Sequence, residues 1–468
     1  FGEISMDIID NPRSVVIGNL DSKYPSDWKN SELMKGLRSG LSEVLGTEYQ
    51  NPFLGIVEPG MTVLIKPNFV KEENLKIKGE WESVLTHPSI IAATAYLVAE
   101  SLGRGGKIVI ADAPQTDSSM QAILRNTKLM NYLDDLRSLF PKISFTFLDL
   151  RREEWKLVNG TVVKRTKLSG DPKGYSIVNL GDKSLFADQD CTNLYGADYD
   201  VEELRKHHKS GIHEYLLSRS VLSADMVVNI SKIKTHKKGG ITLALKNFVG
   251  INGDKNYLPH HREGSPEDGG DEFPEKTTKV SIERKSVSLY RRFVTLVPYP
   301  MNIPLTLLKK LGKEVFGDSS KTIRGGNWWG NDTVWRMTLD IQRAFLYSRL
   351  DGSLSETVQR QKYVCISDGI IAGEDDGPME PTPKPFGVLL FSVNPAVLDF
   401  AGAILMGFDP SKIPTIRHAF SMSSLPLTRF LSDSIRITAL DSKDGFKETN
   451  YERFIERFRP HFGWCDKL

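Results

Sequence analysis

A short uncharged run that ends in a dense basic, glycine-containing turn constrains this chain more than any other stretch. Residues 224–230, ADMVVNI, are apolar and β-branched with no charge after Asp225, the signature of a buried strand. Lys232, Lys234, Lys237 and Lys238 follow, with His236 among them, then Gly239 and Gly240. A run with helical spacing comes next and carries Thr242, Lys246 and Asn247. A strand, a basic glycine turn and a helix start together predict an anion site. Glycine lets the backbone come close, the first helical N–H groups point at the ligand, and lysines add charge. The spacing is not that of a Walker A loop, because GxxxxGK[ST] is absent. The competing reading is a solvated basic turn.

The same strand-then-polar-end pattern recurs through the chain. MTVLI (61–65) runs into Lys66-Pro67-Asn68, and KIVIAD (107–112) ends at Asp112. Between them Thr86-His87-Pro88 opens a helix over 89–102, with Thr86 as the expected cap and Pro88 in the first turn. Repeated strand–helix–strand units predict an α/β fold: an open, mostly parallel sheet built from βαβ units with Rossmann-like halves, plus a helical or loop insertion. Such sheets take ligands at the carboxyl ends of their strands. Lys66, Asn68, His87 and Asp112 all fall at that edge.

At 468 residues the chain has room for several α/β units, which we divide as 1–165, 166–285, 286–345 (the insertion) and 346–468. Net charge is 61 − 59 = +2, so no global field draws the chain to nucleic acid, and no nucleic-acid module pattern occurs. The three cysteines lie far apart without a CxxC, so no iron–sulfur site is expected and a reducing, cytoplasmic compartment fits. FGEISMDIIDNPRS has no basic region followed by an apolar core, so no signal peptide is expected.

Residues 252–276 are long, glycine- and proline-rich, and hold Lys255, His260, His261 and acidic residues. A stretch of this kind reads as a lid or as a disordered loop. In 286–317 an apolar, proline-broken run lies between Arg291-Arg292 and Lys309-Lys310-Lys313. It is too short to span a bilayer and suits either packing on the body or contact with a membrane surface. RGGNWWGNDTVW (324–335) is a core-sealing turn or an aromatic pocket wall. Val201–Arg219 reads as helical, in which His208 and His213 miss the spacing of a metal pair unless Gly211 ends the helix between them. The final unit has a strand ending at Asp368, a loop with Glu374, Asp375 and Asp376, and the helix AVLDFAGAILMGF. Its lone Asp399 is expected to meet a cation, with Lys66, Lys232 and Lys246 as candidates. Asp368, Glu374 and Asp399 are the candidate ligands of a divalent metal.

With these residues in hand, the chain resembles the domain of unknown function 362 family. The likeness runs through KPN (66–68), THP (86–88), the strand to Asp112, KxKTH…T…KN (232–247), Lys255, DGI…GP (368–378) and NP…D (394–399). Many members carry a four-cysteine iron–sulfur module, which this sequence lacks. The histidine-rich loop and tryptophan segment resemble members associated with surface-polysaccharide biosynthesis. Taken together, the residues point to an enzyme acting on an anionic small molecule: a sugar phosphate, a nucleotide sugar or a carboxylate. His87, Asp112, His236, His260 and His261 are the expected proton-handling residues. Lys66, Asn68, Lys232, Lys234, Gly239, Gly240, Thr242, Lys246, Asn247 and Lys255 are the expected substrate contacts. The alternative is a non-catalytic binding or scaffold protein for a polyanion or lipid-linked glycan, touching a membrane surface through 286–317.

Overall fold

The computed structural model describes residues 6–158, 161–196, 200–275 and 323–468. Among them a 10-stranded sheet organises the chain. In chain order its strands are β1 (Arg13–Gly18), β2 (Thr62–Lys66), β3 (Gly106–Asp112), β4 (Ile143–Asp149), β5 (Met226–His236), β6 (Gly240–Thr242), β7 (Tyr363–Asp376), β8 (Glu380–Ser392), β9 (Arg436–Asp441) and β10 (Lys447–Thr449). Their order across the sheet is β10-β9-β1-β8-β7-β5-β2-β3-β4, with β6 folded back on the end of β5. The run β7-β5-β2-β3-β4 is parallel throughout, and β8 enters antiparallel between β7 and β1. The expected open, mostly parallel α/β sheet is present. The four sequence units contribute strands to one sheet, apart from the 286–345 unit, of which 286–322 lies outside the described residues.

Two apolar cores cover the two faces, and strand alternation decides which residue enters which. Val63 and Ile65 of β2, Val228 and Ile230 of β5, and Val364 and Ile366 of β7 face one core, together with Ile90 and Ile91 of the helix Pro88–Leu102. Leu64, Val227 and Cys365 face the other, with Leu245, Phe248 and Phe345. Near-continuous apolar strands are what burial on both faces requires.

Several local expectations change. The helix Pro88–Leu102 is capped by the His87 side chain, which accepts from the Ser89 N–H. Thr86 instead ties β2 to β5: its hydroxyl accepts the Asn68 N–H at 2.9 Å and donates to the Ile230 carbonyl at 2.9 Å. The helix expected over 201–219 stops at His207, and the chain turns at Gly211 so that His208 and His213 pair across two antiparallel strands. A helix would have placed them on different faces; the positive φ of Gly211 reverses the chain instead. The acidic stretch after Asp368 is no loop, because β7 continues to Asp376 in a long hairpin with β8. No helix among the described residues is long and apolar enough to cross a membrane. The basic-flanked apolar run at 286–317 lies outside the described residues.

Candidate functional site

The strand ends of β2, β3, β5 and β7 carry the polar residues that the sequence singles out, but the sheet divides them into two clusters. Lys66 has the parity of Leu64. Lys232 and Asp368, paired in register, have that of Ile230 and Ile366. The two buried lysines therefore leave the sheet on opposite faces.

On the first face Lys66 Nζ meets Asp112 Oδ1 at 2.7 Å and donates to Asn247 Oδ1 at 3.1 Å and to the Pro67 carbonyl at 2.8 Å. Asp112 also accepts the backbone N–H groups of Phe69 at 2.6 Å and Ala113 at 2.8 Å. Burial pulls the Lys66 ammonium down and the Asp112 carboxyl up, each against its partner's opposing charge. Asn247 is held by Asn229 Oδ1 at 2.7 Å, and Asn68 donates to Asn247 Oδ1 at 2.8 Å. Asn68 Oδ1 is buried without a hydrogen-bond partner. Gly250 has no room for a side chain here, since a Cβ would sit 2.2 Å from Asp112 Oδ1 and 2.8 Å from Lys66 Nζ. Lys255 donates to the Ala113 carbonyl at 2.8 Å, and burial lowers it to about 7.

On the second face Lys232 Nζ meets Asp368 Oδ2 at 2.9 Å and donates to the Tyr24 hydroxyl at 2.7 Å. That hydroxyl donates to Asp368 Oδ1 at 2.7 Å, and the His87 N–H donates to Oδ2 at 3.0 Å. The His87 ring stacks on Tyr24 at 3.7 Å between centroids and on Trp81 at 5.3 Å, and its Nε2 lies 3.8 Å from Glu82. Burial and the Lys232 charge hold His87 well below its ordinary value, so it stands as a neutral ring. Lys234 is fully buried and donates to the Val84 carbonyl, and burial holds it well below the ordinary lysine value.

The basic glycine turn is built differently from the expected anion cradle. β5 runs to His236, turns, and returns as β6, with Gly240 opposite His236 at φ +80° and Thr242 opposite Lys234. Thr242 is buried with its hydroxyl unpartnered. Only then does a one-turn helix, Ala244–Asn247, begin. Its first two N–H groups are already taken: Asp399 accepts from Ala244 at 2.7 Å and from Leu245 at 3.3 Å. Among the described residues Asp399 therefore meets no cation. Lys66 and Lys232 have Asp112 and Asp368 as their carboxylates, and burial raises Asp399 well above its ordinary value.

The same assignments scatter the three candidate metal ligands. Asp368 is saturated by Lys232, Tyr24 and His87, Asp399 caps a helix, and Glu374 Oε1 pairs with Arg459 at 2.7 Å. Among the described residues no group of three or more histidine, cysteine, aspartate or glutamate side chains is placed to hold a metal ion. These carboxylates do not fit the metal role.

Lys246 differs from the other lysines. It is partly exposed, no hydrogen bond or ion pair engages its ammonium among the described residues, and burial alone lowers it to about 8. Its charge also lowers Lys234, His236, Lys255 and His260, each after the larger effect of burial.

The histidine loop is packed rather than open. His261 pairs with Tyr195 across a short two-stranded ladder and lies 3.8 Å from Glu272. Asp271 accepts the Arg262 and Asp332 N–H groups at 2.6 and 2.9 Å. Trp328 Nε1 donates to the Asp271 carbonyl at 2.8 Å, and Asn331 donates to the His260 carbonyl at 3.0 Å. Trp328 and Trp335 are buried, so the tryptophan segment clamps the loop; Trp329 is half exposed. His260 Nδ1 faces the Leu258 carbonyl at 2.8 Å, which places its proton there.

Reading the sequence missed Tyr24, Asn229 and Gly250. Asn229 had a signal, as the only polar side chain between Asp225 and Ser231, whereas Tyr24 lies in a polar loop with none.

No curated protein matches the chain. Residues 184–404 match the family model described as Domain of unknown function (DUF362), a span that holds Lys232, His236, Lys246 and Asp399 but neither Lys66 nor Asp112. That match supports the chain as a member of the DUF362 family.

Proposed function

We propose that the protein is an enzyme acting on an anionic small molecule bound at the carboxyl edge of β2, β3 and β5, with Lys246 as the principal anion contact. One observation carries this reading: a partly buried ammonium without a counter-charge among the described residues, whose field reaches Lys234, His236, Lys255 and His260. A cation so placed is costly unless an anion joins it. Of the first-face residues, Lys255 is set near neutrality and His260 keeps its basic nitrogen at Nε2, so both suit proton transfer. The Lys66–Asp112–Asn247 network holds the floor rigid beneath them. His87, Lys232 and Asp368, on the other face, act in this reading as a structural anchor. By the likeness of its histidine loop and tryptophan segment, we place the protein with the polysaccharide-associated members, where sugar phosphates and nucleotide sugars are the fitting substrates. A cytoplasmic site of action goes with that placement.

The test is calorimetric titration of wild-type protein and Lys246→Met with inorganic phosphate and with a nucleotide-sugar panel. Loss of binding in a folded variant is the expected result. Wild-type affinity in Lys246→Met overturns the reading.

A further inference from the structure

His208 and His213 take no part in the site described above. They stand opposite each other on the antiparallel strands His208–Lys209 and Ile212–Ser218, joined by a turn at Ser210-Gly211. Neither backbone N–H is spent on the other residue. That of His208 donates to the Leu204 carbonyl and that of His213 to Asn179 Oδ1 at 2.8 Å. The His213 carbonyl accepts from the Leu180 N–H at 3.0 Å. The two therefore form a pair without hydrogen bonds between them, the arrangement that brings facing side chains closest. Their ring centres lie 5.9 Å apart, and the residues are 0% and 1% exposed.

The ring nitrogens have lone pairs to offer. His208 Nε2 donates to the Tyr257 carbonyl at 2.8 Å, because a carbonyl only accepts, so Nδ1 presents its lone pair. That Nδ1 and both ring nitrogens of His213 are buried without a hydrogen-bond partner. Burial lowers His208 to about 3 and His213 to about 4, so both rings are neutral near pH 7 and each has one lone pair. A backbone carbonyl on the far nitrogen is also how metal-binding histidines are oriented.

We propose that His208 and His213 form a two-coordinate site for Cu(I), held by His208 Nδ1 and one ring nitrogen of His213. Two imidazoles on one ion, with bonds of about 2.0 Å, put their ring centres roughly 6 Å apart when opposed and about 5 Å apart at a tetrahedral angle. The observed 5.9 Å is the opposed arrangement. Imidazole suits copper, and no third histidine, cysteine, aspartate or glutamate among the described residues completes a larger ligand set. Phe186 lies against both rings, at 5.9 and 6.1 Å, and the Tyr215 ring meets His208 at 5.3 Å. Neither ring has a carboxylate as hydrogen-bond partner there, so a divalent ion would bring twice the uncompensated charge into these aromatic surroundings. The site is independent of the anion site, although Tyr257 ends the helical turn that begins at Lys255.

The test is anaerobic titration of the full chain with Cu(I) against bicinchoninate as competitor, with Zn(II) in parallel. Cys465 is exposed and binds Cu(I) in its own right, so Cys465→Ser is the background. One Cu(I) per chain is expected, with two nitrogen ligands and no sulfur in X-ray absorption, and no Zn(II) retained. His213→Leu removes ring nitrogens that hold nothing in the free protein, so it should keep or raise the urea midpoint while losing the ion. His208→Gln keeps a donor for the Tyr257 carbonyl but not the Nδ1 lone pair, and should lose the ion too; it decides the matter if His213→Leu does not fold. No Cu(I) held by the Cys465→Ser protein, sulfur ligands, stoichiometric Zn(II), or undiminished Cu(I) binding in a folded histidine variant overturns the site.

Discussion

The carboxylate of Asp399 accepts the backbone N–H of Ala244 at 2.7 Å, so a side chain 155 residues downstream caps the helix that carries Lys246. The protein thus fills with its own carboxylate the place where a helix start would bind a ligand's anion. Burial raises Asp399 well above its ordinary value of 3.8. A carboxyl raised on folding contributes its full stability below the unfolded value and loses it as pH rises through the folded one. Asp399→Asn keeps an accepting oxygen without the charge, so it should gain stability relative to wild type as pH rises. Urea unfolding at pH 5 and pH 8 tests this; a wild-type advantage that grows with pH contradicts it.

Lys246 is predicted to weaken the fold that it serves. An unpaired, partly buried cation costs on the order of 1 kcal/mol or more. Lys246→Met should therefore raise the urea midpoint at pH 7 while abolishing anion binding. A fall in both would mean that its ammonium supports the native packing.

Anion binding should be strongest below about pH 7 and fall through pH 8. Lys255 and Lys246 lose their protons at about 7 and about 8, and with them the charge that holds the ligand. Phosphate titrations from pH 6 to 9 check the sign, with the second ionisation of inorganic phosphate, which falls near neutral pH, corrected for. Affinity that rises from pH 7 to 9 would exclude these lysines as the binding charges.

The Lys66–Asp112 pair should be expensive to break from either side. Asp112→Ala strands a buried ammonium and the Phe69 N–H, while Ala113 keeps the Gly250 carbonyl at 2.9 Å, and we expect a loss of about 3–5 kcal/mol. Lys66→Met with Asp112→Leu, which removes both charges, should recover part of that loss. A double variant as unstable as the sum of the single ones would show that the charges are not the cause.

Gly250→Ala should act through space rather than backbone strain, because its Cβ lies 2.2 Å from Asp112 Oδ1. Pushing the carboxylate aside costs about 1–3 kcal/mol. Combining it with Asp112→Ser, which shortens the nearer obstructing side chain and leaves Lys66 Nζ at 2.8 Å, should recover part of the alanine's penalty in chemical denaturation. An equal penalty in both backgrounds would point to the backbone instead.

Much of the architecture was legible one segment at a time. The apolar runs at 61–65, 107–112, 224–230 and 363–368 announce buried strands, and all four lie in one sheet. Where the reading failed, a distant partner or one special dihedral was responsible. His208 and His213 sit in a helical pattern until Gly211, at φ +72°, turns the chain. Asp375 and Asp376 look like loop residues until β8 pairs with them.

The order and chemistry of the strand ends were determined by the sequence alone: apolar runs must bury both faces, and polar residues can stand only where those runs stop. Only the tertiary structure decided which charges meet. Alternation sends Lys66 and Lys232 to opposite faces, Asp112 and Asp368 neutralise them, and Asp399 closes the helix start. Each of these contacts is set by register between segments tens to hundreds of residues apart. Lys246 is left without a hydrogen-bond or ion-pair partner among the described residues, a property of the packed chain that no local spacing encodes.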